Sequence, residues 1–504
     1  MIGLIERSRP SLIYVSLAAG LAAVFVPMGL LRFVDADEGT YLLVSRLVAE
    51  GYVPYHDFFY PQMYLLPYVY GFWMKLVGYS WYGARLLSAL FCIVLGLLVY
   101  RDVVRRTGSR RWALGAAGLF AFSSDVFGLY SLAKAYAFGT LLMFGAYSVL
   151  STGSRSRWAA AGFMLGLATA CRVYLAGVVP AFLFHLYRSE PQRRALWMSV
   201  GGFAAAFIVT LLPAAILYLM DAETFAFNIV GNQLIRDRVV LNFTGFSWWE
   251  DKTLFLRMVL GMHAGLPHTT HQLAVLLLAC VAGAISTLRA RQPVPLASLI
   301  ALCLFAASHV PTPMYTQYFC MLVPFVLVDA AAFMARVVRE SGSPRVRHVL
   351  AVGAVIYLLA APFEAYRYTV SAEYIEGQDK TTDWKIPTIR AVGASIDRHV
   401  RPERPVALSF WPGYFLETRA TILPGMENHF SLHFASALTP QQAAQFRLIP
   451  VTQLLSHLRA GAVDVVALGN RTPDRRALRE ELRRSGFVMT ETIASAEIYS
   501  RPRP

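Results

Sequence analysis

Long apolar stretches alternate with short polar loops along the first three quarters of the chain. Stretches long enough to cross a bilayer, about 20 residues each, lie near residues 12–31, 83–100, 112–130, 135–151, 196–219, 272–288, 295–310, 314–335 and 348–365. A longer stretch, 158–187, is interrupted at Arg172 and predicts two short helices that meet there. Together these stretches predict a polytopic α-helical membrane protein with about eleven transmembrane helices.

The arginine-rich loops predict how the chain is oriented in the membrane. These loops are 101–111, 155–157, 188–194, 289–291 and 336–347. If the apolar segment 61–78 does not cross the bilayer, all of them face the cytoplasm, as the positive-inside rule requires. If that segment crosses, all of them face outward. We therefore expect 61–78 to lie in the outer interface, where its many aromatic side chains are favoured.

With 61–78 not crossing, the number of spans also predicts on which side of the membrane the remaining parts lie. The N-terminus is expected in the cytoplasm, with two large outer loops at residues 32–82 and 220–271. The chain is predicted to reside in a bacterial cytoplasmic (inner) membrane, with its C-terminus on the periplasmic side. We divide it into a transmembrane domain, residues 1–373, and an extracytoplasmic domain, residues 374–504.

Composition agrees with a membrane protein. The chain is 56% hydrophobic and 15% charged, whereas a soluble protein usually has about 25% charged residues. The net charge of +15 comes from arginines in short loops, which indicates topology signals rather than a nucleic-acid-binding face. All five cysteines lie in apolar stretches, so they predict neither a disulfide framework nor a thiolate metal site.

The last 130 or so residues have a different pattern, typical of a small α/β domain. Strands are predicted at 406–411 and 463–469, with a last strand near 487–499. Helices are predicted at 386–400, 451–460 and 474–485. This region has neither a glycine-rich phosphate loop nor a nucleophile elbow.

Three acidic residues follow the first apolar stretch, in a chain otherwise poor in acids. Asp35, Asp37 and Glu38 precede a helical run that ends at Gly51. An aspartate ahead of a helix is usually an N-cap. A cluster of three acids beside an outer membrane surface also suits a base that acts on a lipid-borne substrate. One of the three can cap the helix while another serves as the base.

The Asp37-Glu38 pair is followed by a tyrosine-containing helix, by Gly51-x-x-Pro54-Tyr55-x-Asp57, by an aromatic interfacial segment and by Gly83-Ala84-Arg85-Leu86. With these residues the region from Val34 to Tyr100 resembles the GT-C superfamily of integral-membrane glycosyltransferases. The sequence is most similar to the branch of protein O-mannosyltransferases and lipid A aminoarabinose transferases. It departs from the family pattern by adding Asp35 and by reducing the proline motif to Tyr60-Pro61-Gln62, with no lysine before the proline.

The resemblance implies a polyprenyl-phosphate-linked sugar donor, an acceptor bound from the outer side and inversion at the anomeric carbon. It implies Asp37 as the general base, while Asp35 or Glu38 orients the acceptor or binds a metal. A lipid phosphate leaves readily if its charge is stabilised, so the site needs cations more than a second acid. Lys134 and Arg172, each at the outer end of a predicted span, are the candidates. The alternative is that both are interfacial charges that snorkel.

Further candidate residues for donor or acceptor binding lie in the outer loops. They are Asp57, Tyr60, Arg236, Arg238, Tyr315 and Gln317. The alternative for the last two is an aromatic, proline-containing helix start. His263 and His268 could join an acid around a divalent metal ion, although their spacing matches no zinc signature, and solvated loop histidines are the alternative. Apart from this possible divalent metal ion, the sequence indicates no cofactor.

We expect a glycosyltransferase, transferring a hexose or pentose, whose partners are a polyprenyl-phosphate sugar, membrane lipids and a glycan, lipid or protein acceptor. A transporter or lipid-linked glycan flippase would place charges in mid-span and often shows two similar halves, and the sequence has neither. An envelope scaffold would leave the cluster of acids without a purpose. The sequence indicates no nucleic-acid partner.

Overall fold

Helices dominate the chain as far as residue 371, and a small sheet follows. The computed structural model describes residues 10–150, 157–236, 247–260, 269–371, 381–403 and 405–502. The helices of the first half are α1 (Pro10–Leu31), α2 (Ala36–Glu50), α3 (Leu65–Val77), α4 (Trp81–Thr107), α5 (Arg110–Ala121), α6 (Ser124–Leu129), α7 (Ala135–Leu150), α8 (Arg157–Cys171), α9 (Val179–Ser189), α10 (Arg193–Val209), α11 (Leu212–Met220), α12 (Ala222–Ala226) and α13 (Asn232–Arg236). A 3₁₀ turn, Val173–Val178, links α8 to α9, so the chain breaks at Arg172 as predicted.

The second group of helices begins at Trp248. It comprises α14 (Trp248–Lys252), α15 (Leu254–Val259), α16 (Thr269–Arg289), α17 (Leu296–His309), α18 (Val323–Ser341) and α19 (Pro344–Tyr366). A 3₁₀ helix, Thr316–Leu322, leads into α18, and π-helical turns occur at Phe227–Gly231 and Arg367–Ser371.

Five helices are long and apolar enough to cross a membrane, judged by length and composition. They are Ser11–Leu31, Trp81–Thr107, His271–Arg289, Gln317–Ser341 and Pro344–Val370. The pair α10 and α11, bent by 42°, adds a sixth if it is one span, and α7 and α17 are shorter apolar helices. The multi-pass architecture is thus confirmed in outline, while the number eleven stays a prediction.

The predicted span 112–130 is wrong in detail, because it is broken between α5 and α6. A break leaves backbone groups without helical partners, and such groups must be satisfied inside an apolar environment. Gln272 of α16 accepts a hydrogen bond from the backbone N–H of Ser124 at 2.8 Å and donates one to the Tyr357 carbonyl at 2.8 Å. A glutamine from a distant helix therefore stabilises a break that local periodicity does not reveal.

Helix α4 lies at the centre of the transmembrane part. It packs against α1, α5, α7 and α18, and Cys92, Leu95 and Val99 on its inner face are fully buried. Outer helices instead expose large apolar side chains, such as Leu219, which is 80% exposed. Exposed apolar faces on long helices suit contact with lipid chains.

The C-terminal α/β segment contains a five-stranded sheet. Its strands are β1 (Val406–Ser409), β2 (Thr421–Ile422), β3 (Val465–Leu468), β4 (Val488–Ile493) and β5 (Ala496–Ser500). Its helices are α20 (Ile386–His399), α21 (Ser431–Ser436), α22 (Pro440–Gln445), α23 (Val451–Arg459) and α24 (Arg475–Arg484), with 3₁₀ turns at Thr381–Trp384 and Pro412–Phe415.

The strand order is β2-β1-β3-β5-β4. Strand β1 is parallel to β2 and β3, with Ala407 opposite Val465, whereas β5 is antiparallel to both β3 and β4. The prediction of a single strand at 487–499 is wrong, because these residues form two antiparallel strands, β4 and β5, joined as a hairpin. Its tight turn places Ala494 at φ +51°, a conformation that alanine rarely adopts and that the sequence therefore does not signal.

Trp411 connects the C-terminal segment to the start of α2. Its ring stacks on Trp81 of α4, with centroids 6.0 Å apart. Its Nε1–H donates to the backbone carbonyl of Ala36 at 2.8 Å. A Cβ at Gly39 would lie 2.6 Å from this ring, so only glycine allows α2 to approach so closely. Trp411 and the 3₁₀ turn Pro412–Phe415 after β1 are thereby packed against the start of α2.

Candidate functional site

Helix α2 begins at the acidic cluster, and its first turn separates the roles of the two aspartates. Asp35 is the N-cap, since its Oδ1 accepts the backbone N–H of Asp37 at 3.0 Å. Asp37 lies inside the first turn, where the helix dipole favours a negative charge. Its carboxylate is not used for capping and keeps 33% of its side-chain surface exposed. The sequence allowed either acid to cap, and the geometry gives that role to Asp35.

A buried lysine joins both aspartates. The Nζ of Lys134 lies 3.0 Å from Asp35 Oδ1, 3.0 Å from Asp37 Oδ2 and 3.3 Å from Gln317 Oε1. The Lys134 side chain is fully buried. Burial alone would lower its pKa, but Asp35 and Asp37 raise that pKa well above the usual range. Lys134 is therefore a fixed positive charge that faces the exposed part of Asp37.

The same contacts keep Asp37 ionised. Burial would raise the pKa of Asp37, but the positive charge of Lys134, and that of His429 when it is protonated in acid, lowers it well below the usual range. The carboxylate is consequently charged at every physiological pH. A charged acceptor with an exposed oxygen can receive a proton from a bound hydroxyl group.

The third neighbour of Asp37 comes from the C-terminal segment. The Nε2 of His429 lies 3.5 Å from Asp37 Oδ1, and its Nδ1 is 2.9 Å from the hydroxyl of Thr40 on α2. Burial lowers the pKa of His429 to about 4, although Asp37 opposes this shift. The ring is therefore neutral near pH 7. Sequence reasoning missed His429, because 389 residues separate it from Thr40 and no motif marks it.

The predicted cations Lys134 and Arg172 flank one aromatic ring. The Tyr136 ring lies 5.4 Å from Lys134 Nζ and 4.9 Å from the Arg172 guanidinium carbon, which are cation–π distances. Arg172 Nη2 donates to the hydroxyl of Tyr41 at 3.0 Å, and Tyr41 follows Asp37 by one helical turn. Arg172 is 5% exposed and its Nε has no hydrogen-bond partner among the described residues. Both predicted cations thus belong to one site with Asp37.

Several candidates from the predicted outer loops lie beside a group of aromatic side chains that includes Tyr41 and Tyr136, which we call the aromatic wall. Tyr60 is buried, its ring centroid is 6.4 Å from that of Tyr41, and its hydroxyl has no partner within the described part of the chain. Arg236 lies over the Tyr315 ring at 5.6 Å. Gln317 contacts Lys134 directly. Tyr41 and Tyr136, which line the wall, were not among the predicted site residues.

Glu38 and Asp57 have different surroundings. Glu38 forms a fully buried, two-pronged ion pair with Arg85 at 2.8 and 2.6 Å. It also accepts the backbone N–H of Ala133 at 3.0 Å. Asp57 accepts the backbone N–H of Val53 at 2.6 Å and lies 2.8 Å from the His56 ring, within its own turn. Both carboxylates are engaged by protein groups.

The remaining predicted residues lie outside the described residues. They are Arg238, His263 and His268. Within the ranges that the structure describes, no group of three or more histidine, cysteine, aspartate or glutamate side chains is arranged to hold a metal ion. The metal site thus remains a sequence prediction without a structural counterpart.

Comparison with known proteins identifies the fold. No protein-family model matches the chain, and no curated protein matches its sequence. ArnT from Cupriavidus metallidurans matches in structure, with a TM-score of 0.66 for the apo state and 0.67 for the form bound to undecaprenyl phosphate. In both matches the identity is 14%, and 98% of each chain is covered.

A more distant match is the oligosaccharyltransferase of Archaeoglobus fulgidus, solved with a tethered acceptor peptide that contains the NVT sequon. Its TM-score is 0.50 at 13% identity, and the match covers 90% of this chain and 68% of that one. Such low identities show the fold alone. The GT-C fold that the sequence predicted is therefore confirmed as a fold.

Proposed function

We propose that this protein is a membrane glycosyltransferase that transfers one sugar from a polyprenyl-phosphate donor to an acceptor on the outer face, with inversion. The observation that supports this most is Asp37, an ionised and partly exposed carboxylate held by the buried Lys134. The shared fold adds support, since ArnT has been solved with undecaprenyl phosphate.

Asp37 is the proposed general base. The acceptor hydroxyl oxygen attacks the anomeric carbon, the bond from that carbon to the phosphate oxygen breaks, and the hydroxyl proton passes to Asp37. A carboxylate with a lowered pKa is a weak base towards a free alcohol. The hydroxyl proton becomes far more acidic as the new C–O bond forms, so transfer to Asp37 is expected late in the reaction.

Lys134 and Arg172 are the proposed partners of the donor phosphate. Polyprenyl phosphate departs with its negative charge, and preorganised cations in a site of low dielectric stabilise that charge strongly. Arg172 is suited to this because its planar guanidinium can form two parallel hydrogen bonds to phosphate oxygens and its Nε is unused. If the phosphate also attracts Lys134, the ion pair between Lys134 and Asp37 weakens and the pKa of Asp37 rises.

Other site residues are given supporting roles. Asp35 caps α2 and fixes Lys134, and Glu38 joins α2 to α4 through Arg85. A sugar ring could stack on the aromatic wall and form hydrogen bonds through its hydroxyls. The residues proposed to contact it there are Tyr60, Tyr315, Gln317 and Arg236. Asp57 is proposed to shape its own turn rather than to bind the donor.

The test is turnover of a panel of polyprenyl-phosphate sugars by purified protein with candidate acceptors, comparing wild type with Asp37→Asn. Removal of a general base should lower turnover by roughly a hundredfold or more, with polyprenyl-phosphate binding retained. Asp474→Asn is the matched control, because Asp474 caps the exposed helix α24 and asparagine caps equally well. If Asp37→Asn and wild type turn over equally, Asp37 is not the base.

A further inference from the structure

A basic cavity lies at the opposite end of α4 from the candidate site. Its volume is about 310 Å³. Arg85, at the acidic cluster, and Arg106, at the cavity, are 21 residues apart on this helix, or about 30 Å at the helical rise per residue. The cavity opens where α4 and α5 meet the junction of α18 and α19. It is therefore distinct from the proposed active site.

The lining is strongly positive. Its polar and aromatic residues are Arg106, Thr107, Ser109, Trp112, Arg336, Arg339 and Arg347. No carboxylate side chain of the described residues lines the cavity. Arg106 is neutralised by ion pairing with Asp329, and Asp102 is 3.9 Å away. The cavity thus presents three further arginines to any molecule that enters it.

Those three arginines lack acidic partners. Arg336 donates to the Ser286 hydroxyl at 3.3 Å and lies over the Phe333 ring at 5.7 Å. Among the described residues, no acidic side chain lies within ion-pair distance of Arg336, Arg339 or Arg347. Three unpaired guanidinium groups around one cavity repel one another unless an anion binds between them. Phosphate oxygens match the hydrogen-bonding geometry of such groups.

The surroundings favour an anion attached to a lipid. Helix α19 begins beside the cavity and exposes Val349, Val352 and Ile356. These residues are three and four positions apart and therefore form one apolar stripe. Trp112, half-buried at the rim, is of a type that favours the headgroup level of a bilayer. Basic pockets between transmembrane helices are known binding sites for anionic headgroups.

We propose that this cavity binds a phosphate group, supplied by the headgroup of an anionic phospholipid whose acyl chain lies along α19. The site is independent of the proposed transferase reaction, so each can fail without the other. Arg336, Arg339 and Arg347 hold the phosphate, and Trp112 packs beside the glycerol region. A lipid bound here would hold together α4, α5, α18 and α19 at the end of the molecule remote from Asp37.

The experiment uses the purified full chain, stripped of lipid in detergent, and measures binding by native mass spectrometry and by the thermal shift on adding ligand. Ligands are phosphatidylglycerol, phosphatidylcholine and inorganic phosphate. The variants are the double mutant Arg339→Gln/Arg347→Gln and the matched control Arg193→Gln/Arg194→Gln. The control removes two exposed arginines at the start of α10, a position with the same predicted orientation.

Phosphatidylglycerol should bind wild type and the control alike, and bind Arg339→Gln/Arg347→Gln at least roughly tenfold more weakly. Phosphatidylcholine should bind all three weakly. Equal binding of phosphatidylglycerol to the double mutant and wild type would overturn the proposal and leave these arginines as topology signals only. If inorganic phosphate raises the melting temperature as much as phosphatidylglycerol does at equal concentration, the proposal that a phospholipid supplies the phosphate group is overturned.

Discussion

Asp35 and Asp37 share one ammonium group and still differ in what each can do. The difference arises from a single hydrogen bond, in which Asp35 accepts the Asp37 N–H and becomes the cap. Asp37 is thereby left with an oxygen that points to an exposed space and to His429. At the residue scale, the proposed chemistry therefore depends on Asp35 being the N-cap of α2 and Asp37 lying within its first turn.

His429 predicts how the stability of the protein responds to acid. Its pKa is about 4 in the folded protein, against about 6.5 in an unfolded chain. Between these values the unfolded chain binds more protons, so folding stability falls as pH decreases from about 6.5 to 4. We expect His429→Gln to lose less of its melting temperature than wild type between pH 7 and pH 5.

Thermal unfolding of both proteins at several pH values measures this effect. His348→Gln is the control, since His348 is exposed at the start of α19. If wild type and His429→Gln respond to acid with the same slope, the buried neutral ring does not govern the acid response.

Part of the site could be predicted from the sequence. Asp35 and Asp37 stand out because acids are scarce in this chain, and Lys134 and Arg172 because each lies at the outer end of a predicted span. The structure brings the four together. Which aspartate caps α2 could not be predicted, because the sequence does not show whether the helix begins before or after Asp37, and an aspartate is favourable as N-cap in either case. His429 could not be predicted either, since its contact depends on how a distant segment packs.

At the scale of elements, the Glu38–Arg85 pair fixes the angle between α2 and α4. Arg85 also donates to the backbone carbonyls of Gly29 and Arg32 at 2.9 and 2.6 Å. One guanidinium group thus joins the end of α1, the start of α2 and the body of α4. Both partners are fully buried, so their charges have no solvent to stabilise them.

We expect Glu38→Gln to destabilise the protein by about 3–5 kcal/mol, because it leaves the Arg85 charge buried without its partner. Glu50→Gln, on the same helix, is the matched control. Glu50 is 26% exposed, and its partner Arg46 also donates to the backbone carbonyls of Phe415 and Thr418. Because the Arg46 charge keeps these acceptors, the loss of Glu50 should cost clearly less than the loss of Glu38.

Chemical unfolding in detergent micelles measures both changes in the free energy of unfolding. The comparison also tests the roles given to the acids. A Glu38→Gln protein that is as stable as wild type but inactive would move the catalytic role from Asp37 to Glu38.

Element ends were predicted well where a chemical signal marks them. Helix α2 ends at Gly51, whose φ of +103° is favourable for glycine, and α8 ends at Arg172. The break between α5 and α6 and the β4–β5 hairpin were not predicted. Each is stabilised by partners far along the chain, Gln272 in the first case and β3, the neighbour of β5, in the second.

At the scale of the whole molecule, the orientation remains to be measured. The arginine distribution predicts that α18 ends in the cytoplasm and that the C-terminal segment lies outside. We expect alkaline phosphatase, which is active only after export, to be active when fused after residue 502. The same enzyme fused to a chain shortened to residue 341 should be inactive.

A cytoplasmic reporter such as β-galactosidase, fused at the same two positions, should give the opposite pattern. Active phosphatase at position 341 together with inactive phosphatase at 502 would show that the topology is the reverse of the predicted one. The proposed active site would then face the cytoplasm, and the basic cavity would face outward.

The contacts of Trp411 and His429 with α2 have a consequence for biosynthesis. Asp37 enters the membrane early, with the first helix, whereas the two residues that pack on its helix belong to the last fifth of the chain. The surroundings of the proposed base are complete only after the final segment has been translated and has reached the same side. A chain released before residue 429 would contain the aspartates and Lys134 and still lack a finished site, so partial products would be unable to consume the cell's lipid-linked sugar donor.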